Sequence, residues 1–153
     1  VIGTEALEPL VQEILRHTLE GRPALAQSLV DVVVEHGDTA DLYGLCCAAA
    51  DTAQTALLTL FPQAAAGKAG DRWQLPLGMA QDLAADPHRL FALRFVTAYL
   101  NQDTAMAVAL FQAAEAAGGQ DRLESVCALL AHVRALTQRA ELGPADHAGG
   151  DPV

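Results

Sequence analysis

Apolar residues recur along this chain at the three- and four-residue spacing of α-helices, in blocks separated by Gly, Pro and Asp. Leu7, Leu10, Val11, Ile14, Leu15 and Leu19 fall on one face of a first helix, expected from near Glu5 to Glu20. Thr4 is placed to cap its start and Gly21 to end it, while Pro9, tolerated only near a first turn, pulls the expected start toward Glu8. Pro23 opens a second helix, whose periodic positions Leu25, Leu29, Val32 and Val33 lead to His36 and a left-handed stop at Gly37. The β-branched run Val32–Val34 suits a strand, but a strand there stands alone between strong helix signals and is rejected.

Asp38 is expected to cap a third helix, with Asp41 adding negative charge to its first turn. That helix runs to Phe61. Its polar positions Asp41, Thr52, Thr55 and Thr59 form one narrow stripe, so its other sides predict contact with neighbouring helices. The stretch 62–76 carries Pro62, Gly67 and Gly70 and is expected to be a mobile loop, followed by a short helix over Leu77–Ala85. Asp86–Pro87 marks a new start, and the helix to Asn101 has a single polar stripe of Arg94, Thr97 and Asn101, which predicts a central position. Asp103 caps a further helix that stops at Gly118–Gly119. Asp121 and Glu124 have the spacing of a capping box for a last helix to about Leu142, with Leu123, Val126, Leu129, Leu130, Val133 and Leu136 inward. The tail 143–153 is expected to be disordered. The reading is an all-α, multi-helix bundle, with residues 1–142 as one helical domain.

The two halves overlay at a shift of 65 positions, which brings Asp38–Thr39–Ala40 onto Asp103–Thr104–Ala105. This predicts two related α-hairpins around a central helix. His36–Gly37–Asp38–Thr39 and Asn101–Gln102–Asp103–Thr104 each sit between two helices, and Ala107, Phe111 and Ala114 have a small–aromatic–small spacing in the helix that follows. Those residues resemble the hairpin turn and second helix of the tetratricopeptide repeat, and Tyr99 sits near an aromatic position of that repeat's first helix. Leu42, Cys46 and Ala49 follow the same spacing loosely. The sequence departs from that family in lacking an early tryptophan in either first helix, a closing proline and a 34-residue period. The resemblance covers about half the chain and implies a protein-binding role.

Composition narrows the function classes. The formal charge is −10 and the nine basic residues are scattered, so nucleic acid and anionic membrane are excluded as expected partners. Hydrophobic residues make up 52%, a surplus that is largely alanine and that predicts some apolar surface buried against a protein partner or a second copy. Eight Arg against one Lys, with abundant Ala, suits a high-GC bacterial genome. Cys46, Cys47 and Cys127 make no disulfide framework, and a reducing cytoplasm is the expected compartment. The first residues lack the basic-then-apolar layout of a secretory signal.

No motif carries catalysis. Ala66–Gly67–Lys68–Ala69 lacks the first glycine and the hydroxyl of a phosphate-binding loop. No two histidines have ligand spacing, so neither a metal nor any other cofactor is expected. The Cys46–Cys47 pair has no basic neighbour to activate it. The carboxylate pairs, such as Glu5 with Glu8, sit in expected first turns where the helix dipole explains them. Two weaker candidates remain. Trp73 beside Arg72 offers a loop contact for a protein partner, or else folds back over the bundle edge. Arg94 or Tyr99 supplies a polar handle for a small molecule held in an apolar pocket between helices. The leading expectation is a non-catalytic interaction or regulatory module; small-molecule binding is the alternative.

Overall fold

The computed structural model describes residues 2–62, 73 and 85–143. Among them lie six helices and no strand: α1 (Thr4–Leu19), α2 (Pro23–His36), α3 (Thr39–Leu60), α4 (Pro87–Leu100), α5 (Thr104–Ala117) and α6 (Gly119–Leu142). The chain is an all-α bundle. No helix among the described residues is long and apolar enough to cross a membrane. The expected loop over 62–76, the short helix Leu77–Ala85, the Lys68 segment and the tail fall outside the described residues, apart from Pro62, Trp73, Ala85 and Gly143.

Helix α1 starts earlier than Pro9 suggests. Gly3, not Thr4, is its N-cap, and the Gly3 carbonyl accepts from the Ala6 and Leu7 amides, both at 2.9 Å. Pro9 is exposed inside the helix. Its ring removes a single bond, the one to the Glu5 carbonyl on the solvent side, and the packing of Val11, Ile14 and Leu15 holds the rest. Gly21 ends the helix as expected, in the left-handed region at φ 77°. The Gly21 amide reaches the Thr18 carbonyl at 3.2 Å and the Arg22 amide reaches the His17 carbonyl at 2.8 Å, which is a Schellman turn.

Val32–Val34 are helical, but α2 buries only part of its periodic set, Val33 fully and Leu29 partly. It buries Ala26, Val30 and Val33 and turns Leu25 and Val32 outward. Gly37 is also different: at φ −94° and ψ −179° it is extended, not left-handed. Glycine is required there for space. A Cβ would lie 2.6 Å from the Val33 carbonyl oxygen and 2.9 Å from Asp41 Oδ2. The chain thus runs straight from α2 into a full capping box, with the Asp41 amide donating to Asp38 Oδ1 at 2.9 Å and the Asp38 amide to Asp41 Oδ2 at 3.0 Å.

The α4–α5 turn begins with the same kind of cap, the Met106 amide donating to Asp103 Oδ1 at 3.1 Å. Its approach is unlike the first turn. Gln102 takes φ 57°, and the Asp103 and Gln102 amides donate to the Ala98 and Tyr99 carbonyls at 2.9 and 3.0 Å. The two Asp-Thr-Ala turns therefore share an N-cap and differ in how the preceding helix ends. Their partners differ as well: α4 packs closely on α5, whereas α2 lies chiefly on α1 and touches α3 lightly.

Helix α4 is deeply packed through Phe91, Ala92, Phe95, Val96 and Ala98. Helix α6 also touches every other described helix, with α3 and α4 along its flanks. Ala49, Ala50 and Ala53 on α3 are fully buried, and their small side chains permit close approach of the helix backbones. Tyr43 bridges helices with its ring edge-on to Phe95 at 6.1 Å and to Phe111 at 5.3 Å. The threonines of α3 satisfy themselves: Thr52, Thr55 and Thr59 hydroxyls donate to the Ala48, Asp51 and Thr55 carbonyls. Helix α6 does not begin with the expected Asp121 box. Gly118, at φ 73°, precedes it with no side-chain cap, so Asp121 and Glu124 are released for other contacts.

Candidate functional site

The two helices of the α4–α5 hairpin leave a cleft of about 400 Å³, open on one side, that reaches the first turns of α6. Helical periodicity builds it. On α4, His88, Leu90, Phe91 and Arg94 share a face; on α5, Leu110, Ala113, Ala114 and Ala117 face them. The three alanines leave the space that larger residues would fill. Past Arg94 and Leu110 the groove continues along Thr97, Ala98, Asn101, Asp103 and Met106 as a second pocket of about 390 Å³. Both volumes lie in the range of small-molecule sites, roughly 300–1,000 Å³.

The polar groups of this cleft are few. Arg94 is exposed and lines both segments, with no hydrogen-bond or ion-pair partner among the described residues. At the α6 end stands a cluster that the sequence reading missed. His88 Nε2 lies 2.9 Å from Glu124 Oε2 and 3.6 Å from Asp121 Oδ1. His88 Nδ1 lies 3.0 Å from the hydroxyl of Ser125, a buried polar residue of α6. One ligand atom from each of His88, Asp121 and Glu124 falls within 4.8 Å of the others, so these three can hold a metal ion. The sequence signal for it is the i, i+3 spacing of Asp121 and Glu124, which is also that of a capping box.

The other expected residues are placed apart. Tyr99 is five positions beyond Arg94, which turns it about 140° around the helix. Its hydroxyl donates to Asp51 Oδ1 at 3.4 Å, on the α3 side, so it is no handle for the Arg94 cleft. Burial, then the nearby Asp51 charge, raises its pKa. Burial likewise pushes Tyr43 up to about 12, with a hydrogen bond to Cys47 adding to the shift. Trp73 is partly buried and folded back. Its amide donates to Asn101 Oδ1 at 2.7 Å, its carbonyl accepts from Asn101 Nδ2 at 2.9 Å, and its ring lies 6.4 Å from Phe61, edge-on. Arg72 lies outside the described residues. Burial raises the pKa of all three thiols, Cys46 most of all, which opposes thiolate chemistry.

A smaller cavity of about 230 Å³ lies among Thr18, Pro23, Ala26, Leu130 and Arg134. The Arg134 guanidinium crosses Gly21 so closely that a Cβ there would lie 2.8 Å from Nη2. Its buried Nε has no acceptor among the described residues.

No protein-family model matches this chain, and neither a curated protein nor a solved structure matches it significantly.

Proposed function

We propose that the chain is a small-molecule-binding module, and that its site is the α4–α5 groove, where an amphipathic molecule lies with an acidic head at Arg94. One observation carries the reading: a guanidinium with no partner among the described residues stands midway along an apolar groove. Leu90, Phe91 and Leu110 offer apolar wall for the body of the ligand, and Arg94 offers a planar, two-pronged donor for a carboxylate. The chain's charge of −10 disfavours polyanions, which points to a single acidic group.

A thermal-shift panel of carboxylic acids of graded chain length tests this. A true ligand at 100 times its dissociation constant adds roughly 2.7 kcal/mol, and so raises the melting temperature by about 5–10 °C for a domain of this size. Arg94→Gln should abolish the rise. A flat panel, or an equal rise in the variant, sinks the idea.

A second reading, an interaction module that pairs with a protein or with itself, has its own support. Leu25 and Val32 lie two turns apart on one face of α2 and are 49% and 38% exposed. The tetratricopeptide-like spacing in α5 is in keeping with such a role. Free thiols at Cys46, Cys47 and Cys127 suit the reducing cytoplasm of a bacterial cell. Light scattering at several concentrations is expected to give a dimer, and Leu25→Glu with Val32→Glu to give a monomer. A wild-type monomer would remove the self-association form of this reading.

A further inference from the structure

We propose that His88, Asp121 and Glu124 form a binding site for a divalent transition-metal ion of the zinc type at the α6 end of the cleft. The donors suit such an ion: one imidazole nitrogen and two carboxylate oxygens, brought from the first turn of α4 and the first turns of α6. With the imidazole neutral, the two carboxylates balance the dication, and the loaded site is formally neutral.

The spacing already approaches that of a coordination shell. In a tetrahedral site with metal–ligand bonds of about 2.0–2.1 Å, neighbouring donors are about 3.3 Å apart. The two separations from His88 Nε2, 2.9 Å to Glu124 and 3.6 Å to Asp121, bracket that value.

Two of the three donors are also held from behind. The Ser125 hydroxyl, 3.0 Å from His88 Nδ1, is placed to accept the Nδ1 proton, which leaves the Nε2 lone pair facing the carboxylates. Gln120 Nε2 donates to Glu124 Oε1 at 3.2 Å, and Glu124 Oε2 faces His88. Asp121 is free of capping work because α6 begins at Gly119. The carboxylates are solvent-accessible, at 65% for Asp121 and 48% for Glu124, so an ion can enter. His88 and Asp121 line the cleft, so three protein ligands would leave the remaining coordination positions open toward it. A carboxylate or water in the groove would complete the shell. The metal site shares the cleft with the proposed ligand but does not require it.

The test is equilibrium dialysis of the full chain against buffered Zn²⁺ without any organic acid, with the fold checked by circular dichroism. One ion per chain is expected. His88→Ala and Glu124→Gln should each weaken binding at least tenfold. Glu124→Gln keeps the side-chain shape and guards against a folding artefact. Ser125→Ala, a positioning change, should weaken binding by roughly 10–100-fold. Arg94→Gln should not weaken it, which separates this proposal from the acid-binding one. Cobalt in place of zinc should give a visible spectrum without the charge-transfer band of thiolate ligation. No bound ion, equal binding by His88→Ala and Glu124→Gln, or a thiolate band would overturn the proposal. The first outcome would leave a plain ion pair, and the others would place the metal on the acidic surface or on the cysteines.

Discussion

Asn101 grips the backbone of Trp73 from both sides, accepting from its amide at 2.7 Å and donating to its carbonyl at 2.9 Å. A side-chain amide here does the work of a strand neighbour, and it fixes the chain's single tryptophan at the C-terminal end of α4. Asn101→Ala leaves two backbone groups without partners, at a cost of about 1–3 kcal/mol. The tryptophan emission should move to longer wavelength and its quenching by iodide should rise. Unchanged emission would mean that the Phe61 contact alone holds the ring.

The two interhelical turns call for opposite substitutions. Gln102 adopts φ 57°, a conformation disfavoured for L-residues, so Gln102→Gly should stabilise the fold by about 1 kcal/mol and raise the melting temperature by about 2–4 °C. Gly37→Ala should destabilise it by about 1–3 kcal/mol, because the added methyl meets the Val33 carbonyl oxygen, a backbone atom that does not swing aside. Melting curves of both variants decide the matter, and equal responses would show that the turns are equivalent after all.

His132 on α6 supplies a pH dependence. Burial, and then the positive charge of Arg89, lowers its pKa below the ordinary 6.5. The unfolded chain takes up the proton first as the solution is acidified. Stability that is present above pH 6.5 is therefore lost as pH falls from there toward the folded-state value. The wild type should lose more melting temperature between pH 7.5 and 5.5 than His132→Gln does. Parallel losses would assign the acid sensitivity to other groups.

The helices were legible in the sequence because their ends carry strong local chemistry. Asp38, Asp86 and Asp103 cap as their positions implied, and Pro23 and Pro87 open helices. Errors arose where two local signals competed. At α1 an exposed proline was outweighed by tertiary packing of the turns after it. At α6 the glycine pair began the helix before Asp121 could cap it. Gly37 has the sequence signal of a left-handed stop, but it serves to leave room for a carbonyl oxygen.

The candidate site was half legible. Arg94 stood out as the charged member of the polar stripe it shares with Thr97 and Asn101. The His88 cluster did not, because its partners lie more than thirty positions away and meet only through the packing of α4 on α6. The exposure of Leu25 and Val32 was equally hidden: Ala26 and Val30 take core positions beside them, and periodicity alone does not choose between two adjacent apolar stripes.

The placement of α6 bears on how the chain is made. Every other described helix packs against it, yet it emerges from synthesis after all of them. Until it arrives, the faces of α1 to α5 that pack on it are uncovered. The α1–α2 and α4–α5 pairs can form before it, but the shared core is completed when Val126, Leu129, Leu130 and Val133 arrive. A ribosome stalled before Gly119 would hold a collapsed, sticky intermediate and not a smaller native domain.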